Sequence, residues 1–114
     1  MTVQFAFFFD LDGDPGCDPQ SPVSTYSQGV AALGNVSGHE LSEALTDPHL
    51  NAWYDSSGAE NADKCAWTFG ASTLKLGSAQ WKIQGNWSNN AYDTNRGYTD
   101  PANGFVRGCV DGTN

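Results

Sequence analysis

Hydrophobic and polar positions change period several times along the chain, and each change marks an element. Thr2 to Phe9 is a run rich in β-branched and aromatic residues, which predicts a strand buried on both faces. It stops at Asp10-Leu11-Asp12-Gly13-Asp14-Pro15-Gly16, a string of turn formers. Ser24 to Leu45 carries helical periodicity, interrupted or restarted around Gly34-Asn35, with Leu41, Ala44 and Leu45 as its inward face. Residues 51–70 follow no period, and Ser56-Ser57-Gly58 reads as a turn within them. Ala71 to Leu76 and Ala79 to Gln84 alternate across Gly77-Ser78, the pattern of a β-hairpin. In it Leu74, Leu76, Trp81 and Ile83 supply packing while Lys75 and Lys82 face solvent. Residues 88–114 are polar and rich in Gly and Asn, which predicts a long irregular C-terminal segment. There is no repeat. The expectation is one α+β domain spanning residues 1–114, its helix packed on a small antiparallel sheet.

The helical stretch holds the densest chemistry. Gly38-His39-Glu40-Leu41-Ser42-Glu43 is a zincin-like H-E-x-x motif whose second ligand position is glutamate. The chain's glutamates are Glu40, Glu43 and Glu60, and two of them fall in this one turn. A helix rotates about 100° per residue, so His39 and Glu43 lie about 40° apart on one face and can grip one ion. Glu40, about 100° round from His39, is placed to act on a metal-bound water without being a ligand. A plainer reading competes: Ser37-Gly38-His39-Glu40 fits a capping box, with Ser37 as N-cap, Glu40 reaching back to its amide and Glu43 solvated.

The next acids favour the metal. In zincins of the thermolysin type a downstream glutamate is the third ligand, and an aspartate one turn on accepts a hydrogen bond from the first histidine. Glu60 and Asp63 match that pair in order and approximate spacing. The expected site is therefore zinc on His39, Glu43 and Glu60, with Asp63 behind His39. Two carboxylates and one imidazole would neutralise the ion's charge and lower its Lewis acidity relative to a two-histidine site. His49 stands ten residues after His39, the metzincin spacing, and is a rival third ligand. The turning glycine of those proteins is replaced by Thr46, leaving Asp47-Pro48 to bend the chain.

His39-Glu40-Leu41-Ser42-Glu43, Thr46-Asp47-Pro48, Asn51-Ala52-Trp53-Tyr54 and Glu60-Asn61-Ala62-Asp63-Lys64-Cys65 together resemble the EXORDIUM-like, phosphate-induced protein family. Its pattern runs G-H-E-L-x-E, T-[ND]-P, N-A-W-Y and E-x-x-D-x-C. Trp87-Ser88-Asn89 and Cys109 look like the tryptophan-asparagine and the cysteine that close the family's domain. The match is dense over residues 38–65 and thin elsewhere. It implies a zincin-like fold, an extracellular, wall-associated setting, and a chain corresponding to the C-terminal portion of the family's domain. It implies no particular reaction.

Three cysteines leave one odd. Cys65 and Cys109 are the natural pair, tying the metal-site loop to the tail, and Cys17 is then free or bridged elsewhere; the alternative is three thiols in a reducing compartment. A net charge of −8 and only five basic residues argue against nucleic acid or an anionic membrane as partner. No apolar run approaches the ~20 residues of a membrane span. Asp10, Asp12 and Asp14 alternate as in a calcium loop, but Pro15 stands where an EF-hand needs glycine and Ser21 where it needs its closing glutamate. The function these readings favour is a zinc-dependent hydrolase of peptide bonds in which Glu40 accepts the water's proton. The alternative is a secreted, non-catalytic module stabilised by its metal, with Trp53, Tyr54, Trp81, Trp87 and Asn89 forming a carbohydrate-facing surface. Glu40 and Glu43 as a glycosidase pair rank last, because one helical turn cannot flank a sugar from two sides.

Overall fold

A 19-residue helix, α1 (Gln28–Thr46), is the longest element of the computed structural model, which describes residues 1–14, 16–19 and 25–113. Ser27 caps its start, the hydroxyl accepting the Val30 amide at 3.4 Å. Asp47 ends it, donating its amide to the Glu43 carbonyl at 2.7 Å, and Pro48 prevents continuation. The helix runs straight through Gly34-Asn35, where a break was expected, because both residues make contacts rather than a turn. A Cβ on Gly34 would sit 2.9 Å from Trp81 Cζ3, so glycine lets the indole lie on the helix. Asn35 is buried, and its Oδ1 accepts the Gln84 amide at 2.8 Å. The proposed start at Ser24 lies outside the described residues.

The inward face of α1 also differs from expectation. Ala31, Ala32, Asn35 and Glu43 are buried, whereas Leu41 and Leu45 are 61% and 74% exposed. Side chains of the site take the inside, and the leucines are turned out. Residues 1–10 belong to no helix or strand, and Phe5, Phe7 and Phe9 are exposed. The predicted strand at Thr2–Phe9 is thus absent: the residues have the propensity, but among the described residues no neighbour supplies a ladder. Leu11 begins the packed part of the chain.

The loop from Asp47 to Gly70 is irregular as expected, apart from one 3-10 turn at Asp63–Cys65. The turn at Ser56-Ser57-Gly58 is organised by Asp55, whose Oδ1 accepts the Ser57 and Ala59 amides at 2.8 and 3.1 Å. The hairpin is shorter than predicted: β1 (Leu74–Leu76) and β2 (Ala79–Trp81) pair antiparallel with Lys75 opposite Gln80. Gly77, first of the two turn residues, takes φ 62°, as a II′ hairpin turn requires. Leu76 is exposed, while Lys82 lies over the Phe69 ring and donates to the Pro19 carbonyl at 2.7 Å instead of facing solvent.

The C-terminal segment is ordered, against expectation. It holds α2 (Asn89–Asp93), β4 (Gly97–Asp100), β5 (Gly104–Arg107) and β6 (Cys109–Val110), with β6 pairing back to β3 (Asn86–Trp87). β4 and β5 form a second antiparallel hairpin, Tyr98 opposite Val106. The glycines that suggested disorder are places of close approach: a Cβ on Gly108, at φ 87°, would lie 2.6 Å from Trp87 Cζ3. Cys65, Tyr98 and Cys109 form the buried core with Trp87 and Val106 against them. The Tyr98 hydroxyl donates to the Thr68 carbonyl at 2.8 Å and accepts the Gly85 amide at 3.1 Å. One further acid is held by backbone. Burial opposes ionisation of Asp100, but the amides of Phe69, Asn103 and Ala102 keep its carboxyl below the usual range.

Cys65 and Cys109 are joined, their Cα atoms 5.8 Å apart, and Cys17 is free. The bridge closes a span of 44 residues, for which chain entropy gives about 4 kcal/mol of stabilisation. Alkylation of the non-reduced protein is therefore expected to label Cys17 alone by intact mass. Cys65→Ala with Cys109→Ala should lower urea-unfolding stability by roughly 2–4 kcal/mol. Three labelled thiols without reductant would refute the pairing.

Candidate metal centre

The helix places His39 and Glu43 one turn apart, and the loop brings Asp63 to them. His39 Nε2 is 3.0 Å from Glu43 Oε1 and 3.4 Å from Asp63 Oδ1. One ligating atom from each of these three residues falls within 4.8 Å of the others, and among the described residues this is the group of His, Cys, Asp and Glu able to hold an ion. Ser37 lies inside α1, so the capping-box reading of Ser37 and Glu40 does not apply.

The expected division of labour between Glu60 and Asp63 is rearranged. Asp63 faces Nε2, the same ring nitrogen as Glu43, rather than standing behind the imidazole. Its other oxygen accepts the Glu60 amide at 3.1 Å, which fixes the start of the 3-10 turn. Nδ1 is instead met by the Gln84 side-chain amide at 2.8 Å, and that same amide nitrogen donates to the Ala62 carbonyl at 3.1 Å. Glu60 lies on the adjoining wall of a cavity that also receives Glu40, Glu43 and Asp47. His49 is exposed and outside the converging group.

Ser42 and Gln84 carry no motif signal, yet both build the site. The Ser42 hydroxyl lies 2.8 Å from the His39 carbonyl, 3.1 Å from Asn61 Oδ1 and 2.9 Å from Asn86 Oδ1. It ties the helix to the loop and to β3. Gln84 is buried, and its amide anchors to Asn35 on the helix. Nothing local in the sequence marks it, since its role arises from three segments meeting.

The acids crowd one another. Burial, followed by the charges of Asp63, Glu60 and Glu40, pushes the Glu43 carboxyl up, with His39 pulling the other way. Glu60 is pushed up by burial and then by Asp47, Asp63 and Glu40, again against His39. Glu43 Oε1 stands at ion-pair distance from His39 yet forms no hydrogen bond, and Glu60 Oε1 is likewise buried without a partner. Buried carboxylate oxygens are normally satisfied. Of the two, Glu43 belongs to the converging group and Glu60 lies outside it.

The other candidates fall elsewhere. Asp10 and Asp14 accept the amides of Asp12 and Gly16 at 2.9 and 2.8 Å as local turns, and Asp12 packs its carboxyl on Gly29; Pro15 and Ser21 lie outside the described residues. Trp53, Tyr54, Trp87 and Asn89 share a cleft of about 440 Å³ with Asp55, Lys64 and Tyr92. Trp81 is not among them, stacking on Tyr26 with ring centroids 4.8 Å apart. No helix among the described residues is long and apolar enough to cross a membrane. No family model matches the chain, and no curated protein or solved structure matches it either.

Proposed function

We propose that the chain is a metal-dependent hydrolase of zincin type acting on peptide bonds, its ion held by His39, Glu43 and Asp63 with Glu60 adjoining. The observation that carries this reading is the convergence of those three donors beside the unpartnered oxygens of Glu43 and Glu60. One imidazole with carboxylates is a donor set that suits zinc. When bound, the ion would supply Lewis acidity to the cleft. Glu40 lines the same cavity from its exposed side, where its carboxylate is free to take a proton from water and deliver it to a leaving amine. The resemblance to the EXORDIUM-like family supports the site, and the disulfide is compatible with a secreted protein. The aromatic cleft of Trp53, Tyr54, Trp87 and Tyr92 favours a second reading, a non-catalytic metal-stabilised module that faces carbohydrate. Peptidase assays with and without chelator separate the two.

Calorimetric titration should find one zinc per chain. His39→Ala and Glu43→Ala are expected to abolish binding, Asp63→Asn to weaken it more than Glu60→Gln, and His49→Ala to leave it unchanged. A larger loss at Glu60 would assign it as the third ligand, and a wild-type protein that binds no zinc at micromolar concentration would refute the reading.

Glu40→Gln keeps the shape of the side chain but cannot accept a proton. Turnover of a peptide substrate should fall at least ~10²-fold with zinc content intact. An unchanged rate would remove Glu40 from the mechanism.

The crowded acids also make a thermal prediction. Folding raises the affinity of Glu43 and Glu60 for protons above the ordinary value of 4.5, so their contribution is fullest below that pH and is lost as pH rises through the raised range. Asp55 and Asp100 are shifted the opposite way and act below 3.8. Melting of the chelated protein should therefore fall as pH rises from 4.5, and zinc should reverse the slope, because it binds the deprotonated ligands and its grip tightens as pH rises. A melting temperature that rises over that range in chelator would contradict the assignment of unpaired buried acids.

A further inference from the structure

The cavity that receives Glu40, Glu43 and Glu60 has a second wall of different chemistry. Its volume is about 510 Å³, and its other side is built from Phe5, Phe8, Leu41, Ala44 and Leu50. A space of that size, mostly apolar with a few charged groups at one end, is the usual form of a small-ligand site. We propose that this wall is the specificity subsite of the metal centre, receiving a large apolar side chain of the substrate next to the bond being cut; the inference rests on the hydrolase reading above.

Leu50 is the sharpest evidence. It is 79% exposed and holds φ at 53°, a conformation unfavourable for a bulky L-residue. The turn that imposes this is fixed. Buried Asp47 accepts the amides of Asn51 and Ala52 at 2.7 and 2.9 Å, and its carbonyl accepts the Leu50 amide at 3.3 Å. The Gln4 side chain donates to the Pro48 carbonyl in the same turn, which brings the Phe5 segment against it. An apolar side chain kept in solvent by a strained, well-tied turn contributes little to burial within the fold. Leu41, also exposed, projects from α1 one residue after Glu40 and lines the same space. The apolar wall is thus continuous with Glu40, Glu43 and Glu60, so a ligand held from the Glu43 side of the centre would meet leucine and phenylalanine beside it.

Two hydroxamates test this on the zinc-loaded protein: acetohydroxamate, which offers the ion-binding group alone, and 3-phenylpropionohydroxamate, which adds a large apolar arm. Burying that arm should tighten binding by about tenfold to a hundredfold. Leu50→Asn, which tolerates the same backbone, and Leu41→Ser should each reduce that ratio to less than about threefold. Equal affinity of the two compounds for the wild-type protein would overturn the subsite while leaving the metal centre intact. Failure of both compounds to bind a protein that retains zinc would overturn the open metal centre, and the subsite with it. A ratio unaltered by either substitution would also refute the assignment of these residues.

Discussion

The Cys65–Cys109 bridge is the constraint on which the rest of this fold depends. With Tyr98 it forms the packed cluster at the centre; the other buried apolar residues described are Leu11 and alanines, while many larger hydrophobic side chains are exposed. A chain of 114 residues with so little apolar mass inside cannot rely on burial to hold its loops. The bridge replaces it. Cys65 closes the 3-10 turn that begins at Asp63, so the covalent tie to β6 also fixes the acid that faces His39. Trp87, pressed on Gly108 and covered by Lys64 at 4.5 Å, completes the frame from the other strand of that pairing.

Around this frame the molecule spends stability on charge. Asp55 and Asp100 are carboxylates well supplied with donors, backbone amides at both and also the Ser57 hydroxyl and the Lys64 ammonium at Asp55, and each organises a turn. Glu43 and Glu60 are the reverse: each keeps one carboxylate oxygen out of water without a hydrogen bond, near other acids, with His39 as the nearby imidazole. Desolvation without compensation is the most expensive way to place a carboxylate. Strain and unpaired charge gather at one end of α1, where Leu50 and Glu43 border the same cavity.

What the sequence made legible follows from how locally each feature is determined. His39 and Glu43 share a face because helical period alone decides it. The pairing of Cys65 with Cys109 was likewise readable, since the polar tail needed an anchor. The partner of His39 Nδ1 was not readable, because Gln84 reaches it only where α1, the loop and the end of the hairpin meet. The path of residues 47–62 decides whether Asp63 or Glu60 faces Nε2, and no periodic signal describes that path. Thr2 to Phe9 shows the opposite failure: strong strand propensity without, among the described residues, a neighbour to pair with. In residues 88–113, a richness in Gly and Asn predicts absence of order, whereas Gly104, Gly108 and Asn95 are the positive-φ corners that let two strand pairings close.

The Gln84 amide has a consequence beyond placing a ring. Its nitrogen can only donate, so Nδ1 of His39 accepts and the imidazole proton sits on Nε2, the atom an ion would need. A ring that ligates through Nε2 would carry its proton on Nδ1, and Gln84 would have to present its carbonyl oxygen there instead of its nitrogen. Turning the amide exchanges the groups facing the Ala62 carbonyl and the Trp67 amide, which Gln84 now holds at 3.1 and 3.4 Å. Trp67 is half-exposed and sits at φ 58°, so it is a strained residue with one of its tethers in the occupant's control. One side-chain amide thus links the His39 ring to the backbone at Ala62 and at Trp67.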